Sequence, residues 1–151
     1  MGVEGLDYIF NPSSVAVIGA SERRGSIGSA IMRNLLSSFK GTIVPVNVKY
    51  DNVYGLKCYK SILNAPTSVD LAVVAVPARA VLSVIEECGV KGVKGAIVIS
   101  AGFREVGDEG RKLEEELVRI ARRFNIRIIG PNCLGVYNPH VGLDTIFNPS
   151  D

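Results

Sequence analysis

The sequence predicts an α/β protein: a doubly wound, mainly parallel five-stranded sheet with helices on both faces, Rossmann-like in plan. Short β-branched runs alternate with amphipathic helical stretches along the chain, the pattern of strand–helix–strand units. The run Asp70 to Val76 (DLAVVAV) is apolar on both faces, as in a parallel strand covered by helices on either side. The suspicious loops all fall at the carboxyl ends of predicted strands, where open α/β sheets bind ligands.

In order, Leu6 to Pro12 reads as a short segment packed before the first strand, Val15 to Ile18. Gly19 ends that strand, and a polar loop carrying Gly19, Gly25 and Gly28 leads into a helix over Ser26 to Phe39, with Ile27, Ala30, Ile31 and Leu35 on one face. Thr42 to Val46 is the second strand, and Tyr50 to Tyr59 a polar connection. After the third strand, Asp70 to Val76, a helix over Ala78 to Cys88 buries Val81, Val84, Ile85 and Cys88 and is capped by Gly89. Gly95 to Ile99 is the fourth strand. The helix over Asp108 to Phe124 turns Leu113, Leu117, Ile120, Ala121 and Phe124 inward. Its Glu114, Glu115 and Glu116 lie toward the start and Arg119, Arg122 and Arg123 toward the end, which suits the helix dipole. Arg127 to Ile129 is the fifth strand. The expected strand order is three-two-one-four-five, with a crevice at the carboxyl ends of strands one and four.

Composition bounds the function. A chain of 151 residues has room for one domain, and 47% apolar with 21% charged residues is ordinary for a globular α/β protein. A net charge of +2 is too small to imply a nucleic-acid surface. No apolar run reaches the ~20 residues of a membrane helix, and the N-terminus lacks signal-peptide regions, so a cytoplasmic protein is expected. Cys58, Cys88 and Cys133 form no CxxC pair, and with a single histidine a structural zinc is not expected. The end of the chain, NPHVGLDTIFNPSD, has no terminal helix and predicts one domain, residues 1–151, at the N-terminal part of a longer chain.

The stretch SVAVIGASERRGSIG joins a strand, a glycine loop and a helix N-terminus, which together make an anion site, because loop and first-turn amides lack internal partners. The loop departs from GxGxxG. At the end of strand two the sequence reads PVNVK, with Asn47 and Lys49 where NAD enzymes carry a carboxylate. An amide and an ammonium suit a phosphorylated ribose, as in NADP or coenzyme A; a merely solvated Lys49 is the alternative. Arg23 and Arg24 either clamp phosphate oxygens or face solvent. His140 reads as a surface-loop histidine, Cys133 as a structural thiol or one able to form a mixed disulfide, and Cys88 as core.

GASERRGSIG, VNVKYDNVYGLKCYKS, AVVAVPA, ISAGF and IIGPNCLGVYNP occur in this order, and from Asn11 onward the chain resembles the CoA-binding domain of NDP-forming acyl-CoA synthetases. It is nearest to the α subunit of the ADP-forming acetyl-CoA synthetases and more distantly similar to that of succinyl-CoA synthetase. The resemblance implies that Gly19, Ala20, Ser21, Gly25, Ser26, Ile27 and Gly28 wrap the CoA diphosphate. Val46, Asn47 and Lys49 would lie near the adenosine and its 3′-phosphate, and Val76, Pro77 and Arg79 would flank the adenine or pantetheine. Ser100, Ala101, Gly102 and Phe103 would line the arm to the thiol, with Asn132 and Cys133 near the reacting end. It also implies a ligase whose phosphohistidine, ADP/ATP and Mg sites lie in further synthetase domains or on an ATP-grasp β subunit. The present residues alone would bind CoA and catalyse nothing. A stand-alone CoA-binding protein, the CoA-binding domain of a protein-lysine acetyltransferase, and an NADP-dependent oxidoreductase or redox-sensing repressor are the alternatives.

Overall fold

The computed structural model describes residues 9, 11–100 and 107–130, and the backbone of 137–138 and 143–144. A parallel sheet of five strands forms its centre: β1 (Ser14–Ile18), β2 (Thr42–Val46), β5 (Leu71–Val74), β6 (Gly95–Val98) and β7 (Arg127–Ile129). Helix α1 (Ile27–Ser38) follows β1, α2 (Ala78–Lys91) follows β5, and α3 (Asp108–Phe124) follows β6. Between β2 and β5 lie a hairpin, β3 (Asn52–Val53) and β4 (Leu56–Lys57), and a single 3-10 turn (Ile62–Asn64). A second short hairpin pairs β8 (Tyr137–Asn138) with β9 (Leu143–Asp144).

Alternate strand residues serve opposite faces, as the period of two requires. Val15, Val17, Leu71, Val73 and Ile97 pack with Ile31, Met32 and Leu35 of α1, a cluster that also buries Ile9 and Val53. Ala16, Ile18, Ala72, Val74, Ala96 and Val98 pack on the other face with Val81, Ile85 and Cys88 of α2 and Leu117, Ile120 and Ala121 of α3. The two-layer cover is why β1, β5 and β6 are buried at every position.

The order along the sheet is β2-β1-β5-β6-β7, so the expected order three-two-one-four-five is corrected: the third main strand lies between the first and the fourth, not outside the second. Pro45 gives the physical reason. A central strand donates to both neighbours through alternate residues, and Pro45 leaves one of those donors missing, so β2 takes the edge. The winding reverses between β1, whose chain leaves toward α1 and β2, and β5, whose chain leaves toward α2 and β6. The crevice is therefore at β1 and β5 rather than at strands one and four.

Smaller corrections concern the helices. Helix α2 runs past Gly89 and ends at Gly92, whose φ of 94° accepts the left-handed cap and whose N–H bonds the Cys88 carbonyl. Gly89 instead lies inside the helix, where an added Cβ would meet the Phe124 ring. Ile27 is 37% exposed, outside the buried stripe of α1, which is completed by Gly28, Ser29 and Met32. The stretch 50–59, read as a polar connection, contains the β3–β4 hairpin.

Candidate coenzyme A site

The carboxyl ends of β2, β1, β5 and β6 stand side by side, and short polar contacts lace them together. At the end of β1, the Gly19 and Ala20 amides both donate to the Val46 carbonyl of β2, at 2.9 and 3.2 Å. On the other side the Ala75 amide donates to the Ile18 carbonyl at 2.8 Å. Gly19 has a φ of 99°, and a Cβ there would strike the Ala75 carbonyl; no other residue fits between β1 and β5. Gly28 is constrained by approach alone, because its own Cβ would strike the Gly19 carbonyl. These two glycines bring the first turn of α1 down onto the end of β1.

Ser26 starts that helix. Its hydroxyl accepts from the Ser29 N–H at 3.1 Å and donates to the Arg23 carbonyl at 2.7 Å, a cap that also closes the loop. Among the described residues the N–H groups of Ile27 and Gly28 have no partner. The neighbouring helix has no side-chain cap: Pro77 occupies its N-cap position and contributes no side-chain hydrogen bond. Two helix N-termini with open donors thus rise from adjacent strand ends, where their dipoles favour an anion.

The sequence-predicted residues divide by what they do here. Gly19, Ala20, Ser21, Gly25, Ser26, Ile27 and Gly28 form the loop and first turn, with Ser21 buried and accepting the Arg23 N–H at 2.8 Å. Arg23 and Arg24 are exposed. The Asn47 amide is engaged within the protein: Nδ2 donates to the Ala20 carbonyl at 2.9 Å and Oδ1 accepts the Lys49 N–H at 2.9 Å, bracing the loop from the β2 side. Lys49 is exposed and makes no ion pair among the described residues. Val46 is buried, Val76 half-buried, and Pro77 and Arg79 exposed at the start of α2. Ser100 is buried and its hydroxyl donates to the Val76 carbonyl, joining the ends of β5 and β6. Ala101, Gly102, Phe103, Asn132, Cys133 and His140 lie outside the described residues. Cys58 is buried near this end of the sheet; burial pushes its thiol above the ordinary range, so it is no thiolate nucleophile at neutral pH.

Sequence reasoning missed Glu22, Ser29 and Tyr54. Tyr54 and Gly55 form the two-residue turn of the β3–β4 hairpin, which packs beside the glycine loop. The signal was a two-residue loop flanked by apolar residues in NVYGLK, concealed because the first turn position is tyrosine instead of asparagine or glycine.

A parallel sheet whose winding reverses beside a glycine loop and two open helix N-termini defines a nucleotide-type anion-binding α/β protein. Residues 13–139 match the CoA binding domain family; the chain belongs to that family, and coenzyme A is the ligand the membership assigns to it. The chain is 55% identical over 142 residues to an acetate–CoA ligase [ADP-forming] of Methanocaldococcus jannaschii, a match spanning 94% of this chain and 20% of the relative. It superposes with a TM-score of 0.90 and 48% identity on the dinucleotide-forming acetyl-coenzyme A synthetase 1 of Ca. Korarchaeum cryptofilum in complex with phosphate and ADP, covering 97% of this chain and 31% of that one. It thus corresponds to the CoA-binding portion of such synthetases and spans between a fifth and a third of their length. A conserved hypothetical protein from Pyrococcus furiosus matches at TM-score 0.62 and 31% identity, with 90% of that chain covered.

Proposed function

We propose that this chain is the CoA-holding part of an ADP-forming acyl-CoA ligase acting on acetyl-CoA or a related thioester: acyl-CoA + ADP + phosphate ⇌ carboxylic acid + CoA + ATP. The observation that carries the reading is the meeting of the glycine loop with the uncapped start of α2 at the β1/β5 reversal. In this reading the loop from Gly19 to Gly28 wraps the CoA diphosphate, with the open N–H groups of Ile27 and Gly28 as donors, and Lys49 meets the 3′-phosphate beside Val46 and the bracing Asn47. Val76, Pro77 and Arg79 flank the adenine or pantetheine. The arm to the thiol is assigned to Ser100, Ala101, Gly102 and Phe103, and the reacting end to Asn132 and Cys133. The fit is chemical as well as spatial, since open N–H donors, an exposed ammonium and half-buried aliphatic surface match a ligand that is anionic at one end and apolar along its arm.

The acyl phosphate, the phosphohistidine and the Mg–nucleotide belong to further synthetase domains or an ATP-grasp partner subunit, and the working place is the cytoplasm. The present residues, at the N-terminal part of that longer protein, bind CoA and do not turn over. The smaller relative of 31% identity, nearly all of which this chain covers, favours a second reading, a stand-alone CoA-binding protein.

Calorimetric titration with CoA, dephospho-CoA, NADP and NAD tests the site. CoA binding that weakens for dephospho-CoA, with no response to NAD or NADP, is expected. Binding of NADP alone would overturn the assignment. Adding the remaining synthetase domains, then assaying ATP formation from acetyl-CoA, ADP and phosphate, separates the ligase from the stand-alone protein.

A further inference from the structure

The β3–β4 turn carries a backbone conformation that its sequence does not favour. Both central residues have positive φ, 48° at Tyr54 and 81° at Gly55, the requirement of the type I′ hairpin turn. Glycine meets it freely, whereas a bulky tyrosine in the left-handed region is strained, and such strain persists only where the surroundings hold it. Two contacts hold it here. The Tyr54 hydroxyl shares a 2.7 Å hydrogen bond with Ser29 Oγ, a buried side chain in the first turn of α1. The Tyr54 N–H donates to a Glu22 carboxylate oxygen at 2.8 Å, and Glu22 lies in the middle of the glycine loop. The ring also packs against the α1-side core.

One turn residue thus grips the loop at its midpoint and the helix just behind its end. The loop needs such a grip, because residues 22–25 are exposed and their remaining ties among the described residues are local ones through Ser21 and Ser26. The contact to Glu22 has an electrostatic side as well. A carboxylate within an anion-binding loop repels phosphate, and donation from the Tyr54 amide holds this one on the hairpin side. We infer that Tyr54 is a positioning residue: the hairpin turn holds the glycine loop in its phosphate-binding shape before the ligand arrives. The inference rests on the reading of this crevice as the coenzyme A site.

The test uses Tyr54→Phe, which keeps the ring and removes the hydroxyl, alongside Ser29→Ala and the double of these two, and Glu22→Ala, which removes the acceptor of the Tyr54 N–H and should loosen the loop likewise. In ligand-free protein, exchange of the hydrogen-bonded loop amides of Arg23 and Ser26 is expected to accelerate about tenfold in Tyr54→Phe while the strands β1, β5 and β6 keep their protection. CoA and dephospho-CoA should both bind about five- to tenfold more weakly, by the same factor, because the loop serves the diphosphate they share. The double variant should lose no more than either single one, as expected for a shared contact. Unchanged loop exchange with unchanged affinity would overturn the inference. So would a uniform rise in exchange across the sheet, since that marks a purely structural tyrosine. If the wild-type chain binds no CoA, the site assignment fails and the ligand-directed role falls with it; the loop exchange of Tyr54→Phe then still reports separately whether the grip exists.

Discussion

Lys49 and Asn47 were read from the sequence as a pair suited to a ribose phosphate, and the structure separates them. The Asn47 amide is committed at both ends to the backbone, so its polar character serves the loop, while the Lys49 ammonium stands in solvent at the rim. Of the two, the lysine alone keeps its charge free for a ligand, and under the proposed function it meets the 3′-phosphate. Replacing it, Lys49→Ala, should weaken CoA by about fivefold and leave dephospho-CoA unchanged, since one solvent-screened contact to a phosphate contributes on the order of 1 kcal/mol. Titration of both ligands against both proteins checks this, and equal losses for the two would remove Lys49 from the 3′-phosphate. The glycines were legible at this scale because each has a backbone reason to be there. Glu22, Ser29 and Tyr54 were not, because their meeting depends on a hairpin far along the chain folding back onto the loop.

Among the elements, the helices were placed to within a few residues, and the long amphipathic helix from Asp108 to Phe124 has the bounds its sequence predicts. The misplaced end of α2 is instructive. Gly89 resembles a cap in sequence, yet its lack of a side chain is used sideways, against the Phe124 ring of α3. The atoms an added methyl would meet include the Cγ root of that ring, which moves aside only if Phe124 turns about χ1 and gives up its present packing. Gly89→Ala gains up to about 1 kcal/mol of helix propensity and loses about 1–3 kcal/mol to overpacking. The expected result is net destabilisation, read as a lower urea midpoint at unchanged slope; a raised midpoint would show that α2 and α3 can separate freely. The true cap, Gly92, has open space where a Cβ would lie and is needed for its dihedral alone.

For the molecule as a whole, parallel strands and helices on two faces follow from the apolar pattern, but strand order does not follow from that pattern alone. Two clues were present. Leu71–Val74 is apolar at every position, as suits the middle of a sheet, and Pro45 argues for an edge. The position of the crevice changes with the order, while the described loops keep their places at the carboxyl ends of the strands. Global stability also has a pH dependence seated in the core between α2 and the sheet. Burial, with a smaller contribution from Glu87, pushes the Cys88 thiol up to about 12. Below the ordinary thiol range both the folded and the unfolded chain hold this proton, and its contribution to stability is fully present. As pH rises from there toward about 12, only the unfolded chain releases it and stability falls. Urea melts between pH 8 and pH 11 should show this loss, at no more than about 1.4 kcal/mol per pH unit from this group. Cys88→Ala, although less stable at neutral pH, should decline less steeply; an identical slope would place the alkaline sensitivity elsewhere.

The rim formed by β2 has one more consequence. The Pro45 carbonyl accepts the Tyr59 N–H at 3.0 Å, and the Asn47 N–H donates to the Tyr59 carbonyl at 2.9 Å, so these backbone groups point away from β1. By the alternation of a strand, the N–H that proline lacks would have pointed outward too. A foreign strand approaching this margin finds one donor missing and the next already taken by Tyr59. Copies of the domain crowded together in a concentrated stock therefore find no open donor at Pro45 or Asn47 for edge-to-edge pairing.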